Sequence, residues 1–370
     1  MDQDSIARQL RHWLTRSLPS NSSRTVSELG ISLASDVGLK RTENQDKVVL
    51  LRAQVTPVKS FVVGVLCDGM GGMVDGEACA SLAISSFISS CIRNRSFGVD
   101  QRLMNAVEHA NQEVFNEYRG NGGATLSAFI IDSDGKSSAL NVGDSRIYIA
   151  SDTEVTQLST DDTIEGQLNR EVENSPMSGK LLQFVGIGNE LEAHQLELPK
   201  LTSISKLVMT SDGVHYINKS TFRSLLLQDV KSSDLSNRLI DVAKWCGGHD
   251  NATALVLSQP SSIFSKSLSA LTGTVQLWDY NGDVCFIGID KASSRKLEAV
   301  ELSSSIENEP SLDSGVKLSS ARTDNEIKGA SEKNKRQKKQ YKKTTKVHEV
   351  EKNKTEETKD VPQLRIDFDD

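Results

Sequence analysis

The chain has 370 residues, 43 Lys and Arg against 50 Asp and Glu, and a formal net charge of −7; at about 150 residues per domain that is two units, or one large unit with appendages. Hydrophobic residues make up 37% and aromatics 5%, low for a chain that is globular throughout, so part of it builds no core. The acidic balance argues against a general nucleic-acid binder, and no run approaches the roughly 18 apolar residues of a membrane span.

Residues 1–24 open with an amphipathic helix carried by Ile6, Leu10, Trp13 and Leu14 and end in a linker over residues 19–23. The helix either packs on the body or docks a partner. Asp2 and Asp4 ahead of Arg8 and Arg11 do not follow the basic-then-apolar order of a signal peptide. The body, residues 25–260, mixes strands and helices. Apolar, β-branched runs at 61–67, 126–131, 147–150, 206–209 and 254–257 predict strands. Residues 76–91 and 101–119 predict helices; in the second, Leu103, Val107, Ala110, Val114 and Tyr118 form one apolar stripe. No steady alternation of strand and helix is present, so antiparallel sheets with covering helices are expected. Cys67, Cys79, Cys91, Cys246 and Cys285 contain no CxxC pair and are odd in number, which reads as reduced, mostly buried thiols in a cytoplasmic protein.

Residues 261–291 hold a Ser-rich joint and a hairpin, with Val275, Leu277 and Tyr280 before Asn281-Gly282 and Val284, Phe286 and Ile287 after it. A lone hairpin is marginal, so this one docks on the body or joins a partner. From residue 292 to 370 apolar residues thin out and a disordered, charged tail is expected. Residues 301–370 carry 15 basic and 15 acidic side chains, so the whole charge deficit sits in the first 300. Residues 333–346 hold eight basic residues and no acid, and read as a solvated stretch or as the contact for an acidic partner. At the end Leu364, Ile366 and Phe368 alternate, as an unstructured terminus or a short docking strand.

Four aspartates stand at strand tips. Asp68 follows the run 61–67 and opens Asp-Gly-Met-Gly-Gly; Asp144 sits in Asn-Val-Gly-Asp-Ser-Arg before the run 147–150; Asp212 follows 206–209 in Thr-Ser-Asp-Gly; Asp250 precedes 254–257. Asp68 and Asp212 lie at strand exits and Asp250 at an entrance, and in antiparallel neighbours an exit and an entrance share one sheet edge. Two carboxylates about 5 Å apart repel by roughly 3 kcal/mol at an effective dielectric near 20. Either one is protonated or a cation lies between them. Hard oxygens without a His or Cys cluster point to Mg²⁺ or Mn²⁺ rather than zinc. Glycine follows Asp68 and Asp212 directly, suited to a positive-φ turn that brings a carbonyl toward an ion.

Ser35-Asp36-Val37-Gly38, then Arg41-Thr42-Glu43-Asn44-Gln45-Asp46, then the four aspartate motifs in this order resemble the metal-dependent serine/threonine protein phosphatases of type 2C (the PPM family), in their prokaryotic branch. Gly123-Ala124-Thr125, Gln157-Leu158-Ser159 and residues 183–186 also sit where the family pattern places them. The resemblance implies an α+β fold, a four-layer α-β-β-α sandwich of two packed antiparallel sheets flanked by helices. It implies a centre of two Mn²⁺ or Mg²⁺ ions, with a third in parts of the family. Asp68 would bridge both ions, the Gly69 carbonyl would bind the second, and Asp212 and Asp250 would complete the first. Asp144 with Asp212 would serve the third. Arg41 would hold the substrate phosphate through its planar fork of donors, and Asp46 belongs to the same catalytic set. The implied reaction is direct attack of a metal-activated water on phosphoserine or phosphothreonine, opposing a Ser/Thr kinase in signalling. Cys67, beside Asp68, reads as a buried strand residue rather than a nucleophile.

The sequence departs from the family pattern at three places. Gln45 stands where many members have Glu, which removes one charge near the second ion. Met70 stands where eukaryotic members carry a histidine. Asp161-Asp162 replaces a frequent Asp-His, at the start of residues 161–189, the family's variable flap. His249 adjoins Asp250, but hard cations prefer oxygen. The other readings are a pseudophosphatase that binds a kinase or phosphoprotein, and a hydrolase of small phosphate esters. The expected partners are phosphoprotein substrates and a tail-binding protein, with the chain a monomer and neither membrane nor nucleic acid involved.

Overall fold

A computed structural model describes residues 3–287 except 71, 72, 74, 169–179 and 266–271. The tail expected over 292–370, its basic stretch and its alternating end lie outside the described residues. In chain order the elements are α1 (Gln3–Leu14), β1 (Asn21–Val26), β2 (Ile31–Asp36), β3 (Asp46–Gln54), β4 (Ser60–Asp68), α2 (Gly76–Arg93), α3 (Val99–Tyr118), β5 (Leu126–Asp132), β6 (Ser137–Val142), β7 (Arg146–Ala150), β8 (Val155–Gln157) and α4 (Ile164–Leu168). They continue as β9 (His194–Leu196), β10 (Lys206–Thr210), α5 (Asp212–His215), α6 (Lys219–Leu227), α7 (Ser232–Trp245), β11 (Ala252–Ser258), β12 (Thr274–Trp278) and β13 (Asp283–Ile287).

Among the described residues every strand pairing is antiparallel. One sheet runs β1-β2-β11-β10-β7-β8 and the other β13-β12-β3-β4-β5-β6-β9. Period-two alternation sends successive side chains to opposite faces, and this sorts the core into three layers. In β3, Val48 and Leu50 face the other sheet, where they meet Leu33, Ile147, Leu207 and Leu255. Val49 and Leu51 face outward, against the α3 stripe of Leu103, Val107, Ala110 and Val114 and against Ile84, Phe87 and Ile88 of α2. On the far side Val208, Ala254 and Val256 pack under Phe222, Leu226, Leu235 and Leu239 of α6 and α7. The order helix, sheet, sheet, helix is the expected sandwich. Gly64 makes room for its cross-strand partner on β5: a Cβ there would lie 2.3 Å from the Phe129 ring, which fills the notch.

Two segments differ from expectation. Residues 21–23, expected in a linker, begin β1, which pairs with β2 along Asn21↔Asp36 to Val26↔Ile31. The strand reads Asn-Ser-Ser-Arg-Thr-Val with only Val26 buried, so hydropathy alone hides it. The hairpin forms and docks on the body: β12 pairs with β13 and, on its other side, with β3. Its loop is four residues, not the two of an Asn-Gly turn. Asp279 Oδ1 accepts from the amides of Asn281 and Gly282 at 2.8 and 2.6 Å, and the Asp279 amide donates to Gly282 O. The N-terminal helix also packs on the body, through Leu10 and Leu14.

All five cysteines are free; Cys67, Cys79 and Cys91 are buried, Cys246 and Cys285 exposed. Among the described residues no helix is long and apolar enough to cross a membrane.

Candidate active site

The carboxylates gather where the two sheets meet at one end. Asp46 opens β3 and Asp68 closes β4, and the register places them opposite each other. In the other sheet Thr210 pairs with Ala254, which sets Ser211 and Asp212 beside Asp250 and Asn251. The exit-and-entrance geometry therefore holds for Asp212 and Asp250. Asp68 reaches the group from the opposite sheet, not from a neighbouring strand.

Side chains to which the sequence assigned no role lock this meeting. Ser211 Oγ donates to Asp46 Oδ2 at 2.7 Å, and the same hydroxyl accepts the Thr253 amide at 2.9 Å. One hydroxyl thus ties the two sheets at the site. Asn251 Nδ2 donates to Val37 O and Glu43 O, both at 2.9 Å, and its Oδ1 accepts the Gln45 amide at 2.8 Å. That clamp fixes the β2–β3 loop, which carries Arg41. Thr125 Oγ1 accepts the Asp68 amide at 2.9 Å and contacts Ser145 Oγ at 2.7 Å. For Ser211, Asn251 and Ser145 the signal was a small polar residue beside an aspartate at a strand tip, in Thr-Ser-Asp, Asp-Asn and Asp-Ser; Thr125 has no such neighbour.

Gly69 and Gly213 are required for a different reason from the expected positive-φ turn, since neither has positive φ. A Cβ on Gly69 would lie 2.2 Å from Gly76 O, and one on Gly213 would lie 2.0 Å from Asn251 O. Close backbone approach, not a left-handed turn, selects glycine here.

The electrostatics follow from crowding acids with little water. Burial pushes Asp46 up to about 6, against the Ser211 and Thr253 hydroxyls that favour its charge. Asp212 rises to about 8 by burial and then by the charges of Asp144, Asp250 and Asp46. Asp144 rises to about 6 by burial and the nearby Asp161. Asp68 goes well above the usual carboxylate range by burial, then Asp46 and Asp212. Asp46 Oδ1 and Asp212 Oδ1 are buried with no hydrogen-bond partner among the described residues. Orphaned, mutually repelling carboxylate oxygens fit a hard divalent cation in charge and in donor type. Among the described residues no three His, Cys, Asp or Glu side chains close into a ready metal cage, so the fit lies in the donor set and its shared end of the sheets.

Arg41 reaches the same place. Its Nη2 lies 2.6 Å from Asp250 Oδ2, with side chains 44% and 26% exposed, and that contact raises the guanidinium pKa. Asp144 and Asp212 line a polar cavity of about 780 Å³ together with Arg146, Asp161 and Tyr216. Asp161 holds Arg146 through both its oxygens at 2.6–3.0 Å, and Asp162 accepts from the Gly143 amide and contacts His194 Nε2 at 2.7 Å. This pair therefore anchors the start of the 161–189 segment. Met70 donates its amide to Gly123 O. His249 lies over Gly247. Cys67 is fully buried, its thiol pushed far up by burial, as a strand residue and not a nucleophile.

Two packed antiparallel sheets, with helices outside, bring an acidic centre to the sheet ends. Residues 40–256, more than half of the chain, match the protein phosphatase 2C family, and the chain belongs to that family. It is similar to protein phosphatase PhpP of Streptococcus pneumoniae, 29% identical over 246 residues that cover 62% of this chain and 96% of that protein. The serine/threonine protein phosphatase PstP of Mycobacterium tuberculosis is 27% identical over 65% of this chain and 47% of its own length. Among solved structures, the S. agalactiae serine/threonine phosphatase superposes with a TM-score of 0.51 at 25% identity, covering 62% of this chain and 98% of that one.

Proposed function

We propose that this chain hydrolyses phosphoserine and phosphothreonine in proteins, using two divalent cations, Mg²⁺ or Mn²⁺, and acting against a Ser/Thr kinase. The observation that carries the reading is the set of buried, unpartnered carboxylate oxygens on Asp46 and Asp212 at the junction of the sheets. Asp68, Asp212, Asp250 and the Gly69 carbonyl would hold the two ions, and Asp144 with Asp212 a third. Bound cations lower the pKa of water so that hydroxide is available near neutral pH.

The remaining work falls to the chain itself. Asp46 orients the Asp68 carboxylate across the register pair, and Ser211 holds Asp46. Arg41 turns its fork from Asp250 to the phosphate oxygens, an exchange that would cost little with cations held on the Asp250 carboxylate. Gln45 contributes a neutral amide where an acid would add charge, so a second ion would be held more weakly. No side chain forms a covalent bond to phosphorus, which is consistent with the buried state of Cys67. The catalytic unit in this reading runs to the hairpin at residue 287.

The test is phosphate release from a phosphothreonine peptide with Mn²⁺, with chelator, and for Asp68→Asn and Asp212→Asn. Release should require the cation and vanish in both variants. Equal release in chelator would overturn the metal mechanism. Peptide binding without release would instead mark a pseudophosphatase. Release confined to small esters would move the substrate class.

A further inference from the structure

Asn251 grips the β2–β3 loop at Val37, Glu43 and Gln45, which leaves residues 38–41 to be held by other groups. They lie against the loop that follows α7. Gly38 has a φ of +81°, and a Cβ there would lie 2.3 Å from Asp250 O. The Leu39 amide donates to Gly248 O at 2.8 Å. Gly248 has a φ of +52°, and a Cβ there would lie 2.9 Å from Leu39 Cγ. Two glycines in left-handed backbone thus let the two loops run in contact. Arg41 reaches Asp250 across the same seam at 2.6 Å.

One residue fastens both sides of that seam. Lys244, in the last turn of α7, donates from Nζ to Asp36 Oδ2 at 2.8 Å, and Asp36 Oδ1 accepts the Gly38 amide at 2.8 Å. The Asp36 side chain is 2% exposed and that of Lys244 30%. A buried carboxylate needs a counter-charge and donors in place, and Lys244 and the Gly38 amide supply them. The Lys244 carbonyl accepts the Gly247 amide at 3.0 Å. Through Asp36 and Gly38, Lys244 fixes the turn ahead of Arg41; through Gly247 it fixes the loop ahead of Asp250.

We propose that Lys244 is a positioning residue for Arg41. By holding Asp36 it keeps the 38–41 turn in register with the Gly247–Asp250 loop, and so presents the guanidinium fork to the substrate phosphate. The proposal rests on the reading of Arg41 as the group that holds phosphate. Lys244 acts through Arg41 and has no part in the chemical step, so its loss should be felt in phosphate binding.

The experiment compares two variants of the full chain with Mn²⁺ on a phosphothreonine peptide, with inorganic phosphate as inhibitor. Lys244→Met keeps the aliphatic stem and deletes the charge. Asp36→Asn is milder: it keeps an acceptor for the Gly38 amide and frees Lys244 to turn to water. In each, KM and the phosphate inhibition constant should rise about fivefold or more while kcat changes less than about twofold. Lys244→Arg should keep most of the native KM. In an Arg41→Ala background, Lys244→Met should change KM by less than about twofold, because the group it acts through is gone. Unchanged KM and inhibition constant in both variants would overturn the proposal. So would an equal rise with and without Arg41, which marks general structural support. A second readout needs no turnover: the Arg41 Nε–Hε NMR signal, assigned by its loss in Arg41→Ala, should move or broaden in Lys244→Met. A native chain that releases no phosphate but shows that response would sink the phosphatase reading and leave the positioning role standing. A signal unaltered in Lys244→Met would overturn that role whatever the turnover.

Discussion

Replacing Asn251 by Ala should uncouple the β2–β3 loop from the site. Asn251 is 4% exposed and makes three hydrogen bonds to loop backbone, at Val37 O, Glu43 O and Gln45 N. A net hydrogen bond is worth about 1 kcal/mol, more where the abandoned group stays buried. Val37 and Gln45 are partly buried, whereas Glu43 is exposed and its carbonyl can take water. The expected loss is therefore about 2–3 kcal/mol, read as a lower midpoint at unchanged slope in urea unfolding. Turnover should fall further than stability does, because the freed loop carries Arg41 and leads into Asp46. Asn251→Asp is the sharper variant. It keeps an acceptor for Gln45, loses both donors, and adds a charge beside Asp250 and Asp46, so its loss should shrink as pH falls and the acids protonate. A change below about 0.5 kcal/mol with normal turnover in Asn251→Ala would refute the clamp.

Without divalent cations the folded state should lose stability as pH rises. Asp46, Asp144 and Asp212 have folded pKa values of about 6, 6 and 8, above their ordinary values, so the folded state binds more protons across that window and stability falls from about pH 4 to pH 8. Adding Mn²⁺ should restore stability, with a gain that grows with pH, as followed by thermal melts; a flat pH dependence in chelator would count against the acidic cluster. Gly69→Ala places a Cβ 2.2 Å from Gly76 O, and should abolish phosphate release even where circular dichroism shows a folded chain. Shortening the chain to end after residue 287 should preserve peptide hydrolysis. Ending it after residue 262 removes the buried Leu277, Trp278 and Tyr280, worth about 1.5–3 kcal/mol each, and should lower the urea midpoint sharply.

The aspartates were legible because each sits at the tip of an apolar run, next to glycine or a small polar residue. The α3 stripe was legible for a similar reason: one face of a long helix meets one core. Several strands were not. In β2, Ser32 and Ser35 are buried, but each is satisfied, Ser32 by Ser236 Oγ at 2.8 Å and Ser35 by Thr253 Oγ1 at 2.7 Å. In the β5–β6 pair, Ser127 donates to Asn141 in the same way. A buried polar residue with a partner costs little, yet in a sequence it reads as loop. The division of strands between sheets was equally hidden. Nothing local to Asp46 or Ser211 shows that one hydroxyl joins β3 of one sheet to the end of β10 of the other.

The hairpin at β12–β13 is fastened by early residues. Arg16 pairs with Asp279 at 2.6 Å, Arg24 with Asp283, and Ser22 Oγ donates to Tyr280 O, contacts that span more than 250 positions of the chain. Such distant closures come late in folding, after the nearby pairings of β3 through β6. Until residue 287 has been synthesised, the edge of β3 stands open, with its amides and carbonyls free to capture another chain. The β12–β13 pair thus acts as the protective seam of a nascent protein.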